Sequence, residues 1–183
     1  MRLLFSLLAT LLLAGCAGYT IGPIKPTPMR TVQKICVKNI KNDTLHARVE
    51  VPITNAIIKQ IQQDGTYEVT DEAHADAILN VKISDIRRRP ARSLRGNLLQ
   101  TREYLLQIRG NFTVTETHGG RVLDSRSVSA NTSFYVTGGG REENVNTSTS
   151  LLAADSNQDE RQALPNAAEE FATRLVSIIS EGW

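Results

Sequence analysis

Two groups of residues carry types and spacings that could do chemistry. The first is Leu13-Ala14-Gly15-Cys16. Small residues directly before a cysteine let an extended backbone enter the site of a lipoprotein signal peptidase. The Cys16 thiol is then the nucleophile that accepts a diacylglycerol. What precedes it has the layout of a signal peptide: Arg2 supplies a positive start, and Leu3 to Leu13 form an apolar run broken only by Ser6 and Thr10. That run is too short to stay in a bilayer as a spanning helix. The alternative is an ordinary secretory leader with a chance cysteine. Four agreeing positions, at the proper depth after the apolar run, favour lipidation at Cys16.

The second group is Arg87, Arg88, Arg89, Arg92 and Arg95, interrupted by Pro90 and without an acidic residue before Glu103. A guanidinium presents a planar fork of N–H donors that matches phosphate and carboxylate oxygens two at a time. Strand alternation places Arg87 and Arg89 on one side and Arg88 on the other. Pro90 lacks the N–H a central strand needs, so the strand can continue past it only at a sheet edge. The cluster has two readings, a solvated basic loop or a contact for an anionic lipid or an acidic barrel wall.

Other reactive residues form no constellation. His46, His74 and His118 are isolated and lack ligand spacing, so no metal is expected. Gly138-Gly139-Gly140 is not followed by the Lys-Ser/Thr of a phosphate loop, and no serine sits in a Gly-x-Ser-x-Gly elbow. Asp71, Glu72, Asp76 and Asp85 are scattered. With Cys16 lipidated, Cys36 is the remaining thiol, no internal disulfide forms, and Cys36 between Ile35 and Val37 reads as a buried, inert side chain. The expectation is a protein that is not an enzyme and needs no cofactor.

Composition bounds the rest. The formal net charge is +2 over 183 residues, which gives no global field for nucleic acid, and a secreted lipoprotein is in the wrong compartment for it. Acyl chains on Cys16 would bury many methylenes at about 0.8 kcal/mol each, and several chains together hold a protein on a membrane. Ala17, where an Asp would retain the protein at the inner membrane, favours the outer membrane. The expected location is therefore a lipid anchor at the outer membrane, with the domain on the periplasmic side or inside a barrel lumen.

The elements that must position these residues follow from periodicity. Gly22, Pro23, Pro26 and Pro28 make an extended tether, and fifteen such residues reach roughly 45 Å at about 3 Å each. Val32 to Ile40 reads as a strand, and Asn42-Asp43-Thr44 as a polar turn. Val49, Ile53, Ile57 and Ile61 recur at fours and predict a helix over 49–64, stopped by Gly65. Tyr67 to Thr70 is a short strand. Ala77, Leu79, Val81 and Ile83 alternate with polar residues, in a strand running on toward Arg88. Tyr104, Leu106, Ile108, Phe112 and Val114 share a face opposite Gln107, Arg109, Asn111, Thr113 and Thr115. His118-Gly119-Gly120 turns the chain into a returning strand over 122–136. Ala168, Phe171, Ala172, Leu175, Ile178 and Ile179 make the stripe of a last helix, starting near Asp159 or reset at Pro165.

This order predicts an α+β two-layer sandwich: two amphipathic helices packed on one face of a four- to five-stranded mixed or antiparallel sheet. The domain plan is a signal peptide over 1–15, a lipidated N-terminus and Pro-rich tether over 16–31, and one α+β domain over 32–183 with a flexible segment over 137–158. The other face of the sheet stays polar and open to a partner.

The pattern resembles the lipopolysaccharide-assembly lipoproteins of the LptE type. The residues that carry the resemblance are Cys16-Ala17-Gly18-Tyr19; Ile35-x-Val37 followed by Asn42-x-Thr44; Asp64-Gly65-Thr66-Tyr67; Ala75-Asp76-Ala77-x-Leu79; Glu103-Tyr104; Gly120-Arg121-Val122-Leu123; and the closing Ala/Leu/Ile helix. Two departures stand out. Asp124 occupies a place where many relatives have an aromatic residue, and the arginine cluster is denser than expected. The resemblance implies a domain seated in an outer-membrane β-barrel that inserts lipopolysaccharide, an LptD-like partner for which it serves as plug and assembly factor. It also implies direct contact with lipopolysaccharide. The competing reading is a scaffold or regulatory lipoprotein that binds a cell-envelope enzyme.

Overall fold

The computed structural model describes residues 25–92, 101–137 and 148–182. The leader, Cys16, most of the tether, Arg95 and residues 138–147 of the expected flexible segment lie outside the described residues. A turn of 3-10 helix at Thr27–Met29 leads in, with Met29 fully buried. The elements that follow are β1 (Lys34–Val37), β2 (Lys41–Asn42), α1 (Glu50–Asp64), β3 (Glu68–Val69), β4 (Ala77–Arg92), β5 (Thr101–Glu116), β6 (Val122–Thr137) and α2 (Ser148–Glu181).

The sheet is mixed and has six strands, ordered β3-β1-β4-β5-β6, with β2 also pairing β4. The architecture is the expected α+β sandwich, with one strand more than expected. The extra strand arises because the first apolar run does not stay in one register. Ile35 to Val37 pair in parallel with Ala77 to Leu79, whereas Lys41 and Asn42 pair with Lys82 and Ile83. One additional residue on this edge separates β1 from β2. Asn42, read from its polar neighbours as a turn, is thus held to the sheet, and Asp43 N–H donates to Ile83 O at 3.0 Å.

α1 forms where isoleucines recur at fours, and Ile53, Ile57 and Ile61 are fully buried. Pro52 sits in the first turn, where its missing N–H costs no helical hydrogen bond. Gly65 ends the helix at φ 71°, and its N–H reaches Ile61 O. Arg48, just ahead of α1, holds φ 65°, a conformation that non-glycine residues adopt at a cost. α2 starts at Ser148, upstream of the expected start near Asp159. Leu151-Leu152-Ala153-Ala154 are strong helix formers and extend it. Pro165 lies inside α2 on its exposed side, between buried Ala163 and Ala167.

The core lies between the sheet and the helices. Leu79, Val81, Ile83, Leu106, Ile108, Phe112, Val128 and Ala130 meet Phe171, Leu175 and Ile179 of α2, which also packs along α1. Tyr67 closes one end: its hydroxyl donates to Ile179 O at 2.6 Å. Asp76 ties the start of β1 to β4, its carboxylate accepting from the N–H groups of Gln33 and Lys34 at 2.9 Å each. Asp124 holds Arg126 at 2.6 to 3.1 Å, and Arg126 donates on to the carbonyls of Gly182 and Ile178. A cation thereby neutralises the C-terminal end of α2. Asp124 thus fastens that helix end through Arg126.

Candidate functional site

β4, β5 and β6 are long strands, and β1 and β2 accompany β4 only as far as Ile83. The second half of β4 therefore has a paired side against β5 and, among the described residues, an open side. The arginines stand on this edge. Pro90 is accommodated in register with Tyr104, in agreement with its exclusion from a central strand. β4 continues to Arg92, opposite Glu103.

A register shift between Ile83 and Asp85 decides which way each arginine faces. Before it, Leu79, Val81 and Ile83 point to the core. After it, Ile86 does, in register with Ile108. Arg88 follows on the core side, and its guanidinium lies over the Tyr104 ring, 5.1 Å from the centroid. Tyr104 in turn stacks on Phe134 at 5.7 Å. Arg87 and Arg89 point to the opposite, outer face. The alternation read from the sequence is the one the register produces, so the cluster is divided between two faces.

On the outer face, Arg87 is in register with Gln107 and Arg89 with Leu105, while Asp85 is in register with Arg109. The Asp85 carboxylate pairs with Arg87 Nε at 2.6 Å. Arg109 is absent from the run 87–95 yet belongs to this surface. Alternation along β5 placed Arg109 on the polar face, and the shift at Ile83/Asp85 brings Arg87 and Arg89 onto that same face. Gln107 Oε1 is shielded from water and has no hydrogen-bond partner among the described residues. The row continues onto β6 through Ser127, Ser129, Asn131 and Ser133, all exposed. No described element covers this face. It offers guanidinium forks, amides and hydroxyls side by side, a surface suited to phosphate, carboxylate or the polar wall of a barrel.

Among the described residues, no cluster of His, Cys, Asp and Glu is arranged to hold a metal ion. His74 Nδ1 meets Asp71 Oδ1 at 2.6 Å, the Thr70 hydroxyl donates to the same oxygen at 3.4 Å, and the His74 and Asp71 side chains are both well exposed. Cys36 is half-buried, where the sequence suggested full burial. Partial burial and then the Glu72 charge push its thiol up, away from the reactive thiolate. No described helix is long and apolar enough to cross a membrane.

A family model described as LptE, lipopolysaccharide-assembly, matches residues 32–178, which include every strand, all of α1 and α2 as far as Ile178. The chain belongs to the LptE family. It is accordingly a lipopolysaccharide-assembly lipoprotein associated with the outer membrane. Within this LptE-type domain the arginine edge and the polar outer face both fall inside the matched region.

Solved structures similar to this LptE-type chain include a minor lipoprotein from Acinetobacter baumannii, with TM-score 0.46 and 16% identity over 81% of this chain and 92% of that one. A PelC dodecamer from Paraburkholderia phytofirmans gives TM-score 0.45 and 12% identity over 81% and 89%. Lipoprotein GNA1162 from Neisseria meningitidis gives TM-score 0.41 and 13% identity over 70% and 99%. No curated protein sequence matches the chain.

Proposed function

We propose that this domain serves as plug and assembly partner of an LptD-like outer-membrane β-barrel and assists lipopolysaccharide insertion into the outer leaflet. In this reading Cys16 carries the lipid anchor, residues 16–31 form the tether, and the folded unit sits on the periplasmic side or in the barrel lumen. The observation that carries it is the uncovered outer sheet face. Arg87, Arg89 and Arg109 stand there in register among Gln107, Asn111, Ser129 and Asn131. A barrel lumen is hydrophilic, and a polar sheet face can enter it without desolvating apolar surface. Arg87, Arg88, Arg89, Arg92 and Arg95 supply contacts for lipid A phosphates or for acidic residues of the barrel wall. The domain acts by shape and charge and uses no catalytic residue.

Affinity purification of the tagged full chain from membranes in mild detergent tests this. Recovery of one large barrel protein in constant ratio is expected. Recovery of a soluble envelope enzyme instead, with surface lipopolysaccharide unchanged on depletion, would overturn the plug reading in favour of a scaffold.

A further inference from the structure

The tether enters the folded domain at a fixed point. Lys25 Nζ donates to Val32 O at 2.7 Å and lies 4.6 Å from the centroid of the Tyr67 ring. Pro26 Cγ stands 3.5 Å from where a β-carbon on Gly182 would sit, beside the end of α2. The 3-10 turn at Thr27–Met29 touches β6. The exit of the tether is therefore flanked by the end of α2 and by β6.

The same two elements form the walls of a groove. It holds about 370 Å³, has mostly apolar walls, and is lined by Val128 and Ser129 of β6 and by Thr173, Arg174, Ser177 and Ile178 of α2. Its near end adjoins the tether exit, because Arg126 of β6 donates to the carbonyls of both Ile178 and Gly182. At 1.5 Å of rise per residue, Ile178 lies about 6 Å and Thr173 about 14 Å from Gly182 along α2. Extended chain at about 3.3 Å per residue carries Ile21 up to about 13 Å and Tyr19 up to about 20 Å from Lys25. The tether is thus long enough to run the length of the groove.

The composition of the tether points the same way. A segment that only spans water is rich in charge and poor in large apolar side chains. Residues 17–24 read AGYTIGPI, without a charge and with Tyr19, Ile21 and Ile24. Tyr19 and Ile21 are two apart, so in extended chain they share a side.

We infer that residues 17–24 dock in this groove, with Ile21 against Val128 and Ile178 and Tyr19 beside Thr173 and Arg174. The contacts are between side chains. Arg174 keeps its bonds to Glu170 at 2.7 Å and to the Ser129 carbonyl at 3.3 Å, so docking needs no backbone pairing along β6. Its guanidinium gives the Tyr19 ring a cation to lie against. Pro23 suits a segment that joins no ladder, since its missing N–H is not needed there. Docking sets how far the domain stands from its anchor. Docked, the tether holds Cys16 at the flank formed by α2 and β6. Released, residues 17–24 add roughly 25 Å of reach at about 3.1 Å each. This consequence for reach rests on the lipid-anchor reading of Cys16; the docking itself does not.

The test uses the full chain in its native membrane, in a Cys36→Ser background. Ile21→Cys with Ser177→Cys should form an internal disulfide, read as loss of two maleimide-reactive thiols without a gain in chain mass. Ile21→Cys with Asn111→Cys, on the outer sheet face, should stay unlinked. Ser177→Cys alone should react with a maleimide at least tenfold faster once Ile21→Asp and Tyr19→Ser are added, because the new charge keeps the segment in water. Far-ultraviolet circular dichroism of the purified chains should be the same throughout, since every substitution lies in the tether or on the surface. The proposal is overturned if Ile21→Cys and Ser177→Cys stay unlinked, or if the link joins two polypeptides. It is equally overturned if Ile21→Cys links as well to Asn111→Cys, or if the tether substitutions leave the rate at Ser177→Cys unchanged. An unlipidated Cys16 shows up separately, as a maleimide-reactive thiol in the Cys36→Ser chain before any cysteine is added.

Discussion

Phe171 of α2 lies against Gly110 of β5 where a β-carbon on residue 110 would come within 3.0 Å of the phenyl ring and 2.9 Å of the Lys82 carbonyl oxygen. Gly110 falls between Ile108 and Phe112 on the core face, opposite Ile83 and next to the register shift in β4. The missing side chain is what lets the helix approach the sheet there. Gly110→Ala meets a backbone atom that cannot yield, so it should destabilise the fold by about 1–3 kcal/mol. Phe171→Ala removes the ring from a fully buried site and should cost about 3–5 kcal/mol. Urea unfolding followed by far-ultraviolet circular dichroism measures both. A Gly110→Ala midpoint equal to that of the parent would show that the contact is slack.

Tyr67 joins the chain after α1 to the end of α2 through its bond to Ile179 O. Tyr67→Phe leaves that buried carbonyl without its donor and should cost about 1–2 kcal/mol. Burial first, then the Asp64 and Asp124 charges, push the Tyr67 hydroxyl far above its ordinary value near 10. The sign follows: the folded form keeps its proton where the unfolded form has lost it. The stability contributed by Tyr67 is therefore intact below about pH 10 and declines as pH rises above it. Thermal melts between pH 8 and 11 should show the fall in the parent and a shallower one in Tyr67→Phe.

Asp76 behaves in the opposite sense. The backbone N–H of Lys34 and then that of Gln33 stabilise its carboxylate and hold it below the usual range. Its contribution is present above the unfolded value near 4 and is lost as pH falls through the lower folded value. Asp76 is exposed, so water screens part of the effect. Asp76→Ala should lower the melting temperature at pH 7 by a few degrees and by less at pH 3. An equal loss at both pH values would show that the carboxylate charge is not what anchors β1.

The helices, long strands and core faces were legible because burial imposes periodicity. Ile53, Ile57 and Ile61 keep helical spacing, and Tyr104 to Val114 keep strand alternation, since one face of each meets the same core. Three features were not legible. β2 exists because Lys41 and Asn42 pair with β4, a partnership of residues distant in sequence that local polarity obscures. The early start of α2 and the tolerance of Pro165 depend on its lying on the solvent side. That Arg87 and Arg89 share the polar face with Arg109 depends on a register shift in β4, which leaves no local mark. The split of Arg87 and Arg89 from Arg88 was legible, because alternation survives on both sides of that shift.

The arginine row can be separated from simple solubility by charge reversal. Arg87→Glu, Arg89→Glu and Arg92→Glu together remove three cations from one strand edge and create three repulsions toward any phosphate or carboxylate placed there. Arg87 and Arg89 are exposed, so the melting temperature should change by no more than a few degrees. Binding of purified lipopolysaccharide by the full chain in detergent should weaken at least tenfold, and recovery of the barrel partner should fall if acidic wall residues are the contact. Arg88→Gln is the informative companion. Arg88 faces Tyr104 across the core side, so this variant should weaken binding much less than the triple variant while loosening the Tyr104–Phe134 stack, read as altered tyrosine fluorescence. Unchanged lipopolysaccharide and barrel binding in the triple variant would return the cluster to a solvated edge whose work is to keep β4 from pairing with other strands.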